Sequence, residues 1–192
     1  MAAGSSSRMG TPKQLLSWNN STLIESAIKT ALQVQKTKVY VVLGAHFELI
    51  AQHIKTYPIN IVRNPDWEKG LGSSIAAGVK AIDQHHDLEG VMIVLADQPL
   101  VSSTDFLHLI KHFESGKNRI VATTYNEDNI GVPAIFDHSY FDALAELNED
   151  RGAKSILKKY SKKVHTVSLP SKLLDIDTPE GYEQLLKINH QS

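Results

Sequence analysis

The sequence contains no cysteine, which removes disulfides, thiolate metal sites and cysteine nucleophiles together. It has no apolar run near the roughly 20 residues that a membrane-spanning helix needs. Nor does it have the charged-then-apolar start of a signal peptide. Neither charge is in excess: 20 Lys and Arg against 21 Asp and Glu leave a formal net charge of -1. That balance argues against a general nucleic-acid binder working by phosphate neutralisation, so any basic site has to be local. No internal repeat, low-complexity tract or composition shift marks a linker. These absences lead to the expectation of a cytoplasmic protein with no nucleic-acid partner and no membrane association. The 192 residues, 42% hydrophobic, suit one domain over 1–192 with a substantial core.

Within that domain, strand and helix patterns alternate. Thr22-Leu23-Ile24-Glu25 reads as a capping box, followed by apolar residues at helical spacing through Leu23, Ala27, Ile28, Ala31 and Leu32. Val39–Leu43 is an apolar, β-branched run of the kind buried in parallel sheets. A helix from about Phe47 to Lys55 and a short strand Ile59–Val62 come next. After the break at Asn64-Pro65-Asp66-Trp67, Gly70–Ser74 leads into a helix reaching about Ile82. Gly90–Leu95 is the strongest strand, and Ser102 or Ser103 can cap a helix reaching Phe113. Strands Ile120–Thr124 and Val132–Phe136 surround a polar turn at Asn126–Asn129. Helices near Tyr140–Leu147 and Ala153–Tyr160, then a strand around Val164–Val167, follow. Thr178 as N-cap, Pro179 at the first position and Glu180 in the first turn mark the last helix. The pattern implies an α/β fold of three layers, with helices on both faces of a mostly parallel, doubly wound sheet. Ligands of such sheets bind at the carboxyl ends of the strands.

Residues 2–13 hold two glycines, three serines, Arg8 and Lys13, with little bulk to pack. Such a stretch can wrap an anion with backbone N–H groups, hydroxyls and cations, or it can be a flexible tail. It is neither a Walker loop nor G-x-G-x-x-G. Asp97, in Leu95-Ala96-Asp97-Gln98-Pro99, closes the most buried strand and can ligate Mg²⁺ or cap a turn. Asp175 and Asp177 lie two residues apart, so an extended backbone points both to one face. That arrangement suits a divalent cation, although Asp177 can equally serve as an N-cap. The Gly70–Ser74 helix start, with Ser73 and Ser74, suits a polar pocket or a plain cap. His108 and His112 stand four apart on a helix, but no Glu follows His108 and no third zinc ligand is evident. No nucleophile elbow appears.

The run Ala2-Ala3-Gly4-Ser5-Ser6-Ser7-Arg8-Met9-Gly10-Thr11-Pro12-Lys13-Gln14-Leu15-Leu16 resembles the motif of the MobA-like nucleotidyltransferases, and within them the molybdenum cofactor cytidylyltransferases. The resemblance continues through Asp97-Gln98-Pro99 and Asp175-Ile176-Asp177-Thr178-Pro179. It implies a Rossmann-like fold of the nucleotide-diphospho-sugar-transferase type. It also implies transfer of a cytidylyl group from CTP to the terminal phosphate of a molybdopterin-type cofactor, with release of pyrophosphate. Under it Arg8, Lys13 and Asp97 are catalytic, and Asp97 and Asp177 hold Mg²⁺, with Asp175 in reserve. Ala2, Ala3, Gly4, Ser6, Arg8, Gly10, Lys13, Asn64, Gly70, Ser74 and Asp97 contact the nucleotide. A molybdoenzyme or its chaperone is a further partner that the resemblance admits. A guanylyltransferase, another acceptor and a non-catalytic cofactor carrier stand as alternatives.

Some positions depart from the family pattern. Val132 stands where relatives often carry histidine, and Glu149 and Lys154 depart from a segment in which Asp150 and Gly152 are kept. These changes bear on the acceptor. The family's loop follows a full buried strand, whereas only Met1 and Ala2 precede it here. The expectation is a shortened and weakened first strand, or a natural chain that begins upstream of Met1.

Overall fold

The computed structural model describes residues 1–6, 9–82, 88–126, 129–148, 152–169, 176 and 178–189. A short antiparallel hairpin, β1 (Ser17–Trp18) and β2 (Ser21–Thr22), leads into α1 (Leu23–Leu32). The capping box is formed: Glu25 N donates to Thr22 Oγ1 at 3.4 Å, and Thr22 N to Glu25 Oε2 at 2.9 Å. Next come β3 (Tyr40–Leu43), α2 (Phe47–Ile54), β4 (Asn60–Arg63), α3 (Leu71–Ile82) and β5 (Gly90–Ile93). The remainder is α4 (Ser103–Lys111), β6 (Ile120–Asn126), β7 (Asn129–Asp137), α5 (Phe141–Ala145), α6 (Lys154–Lys159), β8 (Val164–Ser168) and α7 (Pro179–Asn189). No helix among the described residues is long and apolar enough to cross a membrane.

Strands β3 and β4 pair in parallel, with Leu43 opposite Arg63. A second group runs β5-β7-β6-β8, in which β7 is antiparallel to both neighbours and β6 is parallel to β8. The first residues of the chain join the two groups. Ala2 N donates to Val42 O at 3.0 Å and Ala45 N to Ala3 O at 2.9 Å. On the other side Met1 N donates to Val94 O at 2.6 Å, and Ala96 N to Met1 O at 3.1 Å. Met1–Ala3 thus has the place of a shortened central strand, parallel to β3 and β5. The sheet is mostly parallel, with β7 running against the rest. Strand β5 ends at Ile93 rather than Leu95 because the carbonyl of Val94 turns to Met1 instead of to β7.

Alternating residues of the strands face opposite layers, as the pleat requires. On one face Ile120, Ala122, Ala134 and Phe136 pack against Ile75 and Val79 of α3, Leu144 of α5 and Ile156 of α6. On the other, Val121, Ile135 and Val167 pack against Leu109 of α4. Val41 and Leu43 meet Ile24 and Ile28 of α1 and Ile50 and Ile54 of α2. Each buried Val, Leu, Ile or Phe side chain in these contacts contributes on the order of 1.5–3 kcal/mol of burial free energy. Helices cover both faces, so three layers result.

Candidate functional site

The carboxyl ends of β3, β4 and β5 come together with the loop that follows Met1–Ala3. Gly44 follows β3, Asn64 follows β4 and Asp97 lies beyond β5. Gly44 is needed for closeness: a Cβ there would sit 2.3 Å from Trp67 Cβ and 2.8 Å from Ala3 O. Only glycine lets Trp67 and the start of the loop meet at this point.

The loop is held in shape by a side chain that the sequence reading did not assign to the site. Gln14 is 3% exposed, and its Nε2 donates to Ala2 O at 3.0 Å and to Gly4 O at 2.8 Å. Its Oε1 accepts from Ser6 Oγ at 3.4 Å, and Ser6 Oγ in turn accepts from Lys13 N at 3.0 Å. Met9 N donates to Ser6 O at 2.8 Å. The segment therefore curls around a buried amide, with Ser6 and Gly10 at φ 57° and 68°. These left-handed residues turn the chain back on itself. The readable signal was a lone amide ahead of the apolar Leu15-Leu16.

Lys13 and Asp97 converge. Lys13 Nζ lies 2.5 Å from Asp97 Oδ2, with the side chains 19% and 16% exposed. The same ammonium donates to Ile176 O at 3.2 Å, and Ile176 N donates to Asp97 O at 3.3 Å. The segment that separates Asp175 from Asp177 is thereby docked against Asp97. Asp97 Oδ1 is buried with no hydrogen-bond partner among the described residues. A buried, unsatisfied carboxylate oxygen is costly unless a ligand or cation completes it. That unsatisfied oxygen, beside the ammonium of Lys13, fits a divalent cation such as Mg²⁺, which binds through one or two carboxylates together with phosphates. Asp175, Asp177, Arg8 and Asp150 lie outside the described residues.

The 64–74 segment forms the opposite wall. Asn64 Nδ2 donates to Ser73 Oγ and to Ser74 Oγ, each at 3.0 Å, and its Oδ1 accepts from Asp66 N at 3.0 Å. Ser73 Oγ is bonded to Asp66 O and Gly70 O, each at 2.9 Å. Asn64 and Ser74 are each 3% exposed, so this network shapes the wall from beneath its surface. An open recess of about 540 Å³ adjoins it, lined by Ser5, Gly44, Phe47, Arg63 and Trp67 among others.

On the remaining side Gln98 Nε2 donates to Tyr125 OH at 2.9 Å, and Tyr125 OH donates to Val132 O at 2.7 Å. The carboxamide after Asp97 is thus fixed toward β6 and β7. His108 and His112 form an edge-to-face pair at 4.8 Å, and His112 stacks on His165 at 5.1 Å. Those rings belong to α4 and β8, apart from the strand ends described above.

Comparison with known proteins supports the same region. The chain is 31% identical to nicotine blue oxidoreductase of Paenarthrobacter nicotinovorans, over 97% of this chain and 94% of that protein. It is 27% identical to molybdenum cofactor cytidylyltransferase of Escherichia coli strain K12, over 94% and 90% respectively. Its fold superposes on the crystal structure of Rv0371c from Mycobacterium tuberculosis H37Rv with a TM-score of 0.84 and 26% identity, covering 97% of this chain and 94% of that one. Residues 1–164, which carry the curled loop, the Asn64 network and Asp97, match the MobA-like NTP transferase domain, and the chain belongs to that family.

Proposed function

We propose that the protein transfers a cytidylyl group from CTP to the terminal phosphate of a molybdopterin-type cofactor, releasing pyrophosphate. The observation that carries this reading is the convergence of Lys13, Asp97 and Ile176 at the mouth of the curled loop. It sets a cation and a carboxylate with one unsatisfied oxygen beside the glycine- and serine-rich loop. A triphosphate needs that combination of donors. The relative named as a cytidylyltransferase supports the choice of base.

In the proposed reaction an oxygen of the acceptor phosphate attacks the α-phosphorus in line. The bond from that phosphorus to the β-phosphate oxygen breaks, and pyrophosphate leaves with the electron pair. The protein supplies position and charge rather than a covalent nucleophile. Ala2 and Ala3 anchor the loop in the sheet, backbone groups of Gly4, Ser6 and Gly10 line the phosphates, and Arg8 and Lys13 neutralise the growing charge. Asn64, Gly70 and Ser74 form the wall for base and ribose, with the adjoining recess giving room for them. Asp97 and Asp177 would hold Mg²⁺, which supplies charge neutralisation on the phosphates when bound. The protein is read as a cytoplasmic enzyme that hands its product to a molybdoenzyme or its chaperone.

The test is pyrophosphate release with Mg²⁺, purified molybdopterin cofactor and either CTP or GTP. Release with CTP and at least about tenfold tighter binding of CTP, a difference of about 1.4 kcal/mol, is expected. Preference for GTP would replace the cytidylyl assignment with a guanylyl one. Tight cofactor binding without turnover would replace the enzyme with a carrier.

A further inference from the structure

At the opposite end of the sheet from this site, cations gather around a second recess. Lys117, Asn118, Arg119, Lys162, Lys163 and His165, with Val164, line a recess of about 290 Å³. Lys117 and Arg119 precede β6, and Lys162 and Lys163 precede β8. Because β5, β6 and β8 run the same way, these amino-terminal ends lie across the sheet from the Asp97 end. The seven residues of β6 alone span roughly 20 Å at the rise of an extended chain.

The local carboxylates are engaged elsewhere. Glu114 pairs with Arg119. Asp137 is 2% exposed; its oxygens accept from Gly116 N at 2.7 Å, Ser139 N at 3.0 Å and Ser139 Oγ at 2.7 Å. Lys117, Lys162 and Lys163 are exposed and form no ion pair among the described residues. The turn that carries Lys117 is tied down from both sides, by Asp137 through Gly116 and by Tyr140 OH donating to Asn118 O at 2.8 Å. The cations therefore converge from two separate turns onto a concave surface of fixed shape, in a chain whose formal net charge is -1. Glu114 matches Arg119 alone; the three lysines, unpaired among the described residues, repel one another, and a multivalent anion relieves that repulsion.

We propose that this recess binds a compact polyanion carrying two or more linked phosphates. A single phosphate engages one or two ammonium groups, whereas ammonium groups on two turns call for charge spread over a chain. The concavity favours an oligophosphate over a broad acidic protein surface. Free oligophosphate and the phosphate tail of a nucleotide share this chemistry. The proposal stands apart from the transfer reaction and does not depend on it.

Calorimetric titration of the full chain with tripolyphosphate, pyrophosphate and metal-free CTP tests it. Lys13→Met alters the nucleotide loop and leaves the recess untouched, so the share of binding that responds to the recess lysines and not to Lys13 reports the distal site. Lys162→Glu with Lys163→Glu, and separately Lys117→Glu, should each weaken that binding at least about tenfold, and the affinity should fall between about 50 and 300 mM salt. The positions are exposed, and an unchanged melting temperature and normal pyrophosphate release exclude misfolding in either variant. Equal affinity for tripolyphosphate and CTP assigns the free oligophosphate as ligand; tighter CTP binding assigns a nucleotide; both keep the polyphosphate reading. Binding that is unchanged in both lysine variants, or an octaglutamate peptide that binds more tightly than tripolyphosphate, overturns it.

Discussion

Lys13 and Asp97, 84 residues apart, meet at 2.5 Å, and Lys13 also holds the carbonyl of Ile176. A pair this close can serve catalysis, architecture or both. Its half-shielded setting makes the removal of one partner worse than the removal of both, because the survivor is left unmatched.

Lys13→Met and Asp97→Asn should each lower pyrophosphate release by at least about a hundredfold, the size of effect seen when one electrostatic contact to a developing charge is lost. Nucleotide affinity should fall less, since the charge they meet grows in the transition state. In a double-mutant cycle the two losses should combine to less than their sum. Melting temperatures that drop while turnover stays normal would make the pair architectural.

Gln14→Leu keeps most of the bulk but removes both donors to Ala2 O and Gly4 O. The buried carbonyl of Ala2 then loses a partner, at roughly 1–3 kcal/mol, and the part-buried carbonyl of Gly4 loses one at lesser cost. The curl should loosen, so CTP binding weakens and the melting temperature falls together. Calorimetry and thermal melts on the variant check this, and normal affinity with a lowered melting temperature would mean that the loop keeps its shape without the amide.

Gly44→Ala brings a methyl into Trp67 and Ala3 O. Overpacking of this kind costs typically 1–3 kcal/mol. Trp67 should move, and its fluorescence should change with it. Unaltered fluorescence and stability would show that the contact has slack.

The Glu25 carboxyl sets an acid limit on stability. Burial pushes it up, but hydrogen bonds from Thr22 N, Tyr57 OH and Thr22 Oγ1, with His53 nearby, bring it down from 4.5 to about 2. A carboxyl depressed in the folded state stabilises the fold above its unfolded value, and that contribution disappears as pH falls from 4.5 toward about 2. Wild type should therefore exceed Glu25→Gln in melting temperature near pH 7, and the gap should close through that acidic window. A gap that stays constant from pH 7 to pH 2 would assign it to packing.

Where local chemistry decides a structure, the sequence was readable. The Thr22 box starts α1, and Ser102 starts α4, its N and Oγ both donating to Asp105 Oδ2. Apolar runs became β3, buried over Val41–Leu43, and β5, whose Val91 and Met92 pack against different clusters. Hidden features are those that depend on distant partners. Nothing near Gln14 announces that its amide reaches back to Ala2. The hairpin β1–β2 was missed although Asn19-Asn20 is a turn pair, with Asn19 at φ 43°. The antiparallel course of β7 follows from the short 126–129 connection, too brief for a crossover between parallel strands. Lys13, as a cation in a glycine- and serine-rich stretch, and Asp97, as a strand-end carboxylate, are legible one by one and by motif likeness, while their contact is a product of the sheet bringing two strand ends together.

Met1–Ala3 also acts as a splice. Its bonds to Val42, Ala45, Val94 and Ala96 join the β3–β4 half of the sheet to the β5–β8 half, and the residues that follow directly form the loop held by Gln14, the proposed phosphate site. A ligand that orders the loop therefore tightens the seam between the halves. Bound nucleotide should slow amide exchange at Ala2, Ala45 and Ala96 by the linkage factor 1 + [L]/Kd, about a hundredfold at ligand concentrations a hundred times Kd. In mechanical terms a bound nucleotide would clamp the sheet, and exchange at this seam should be faster in its absence than in its presence.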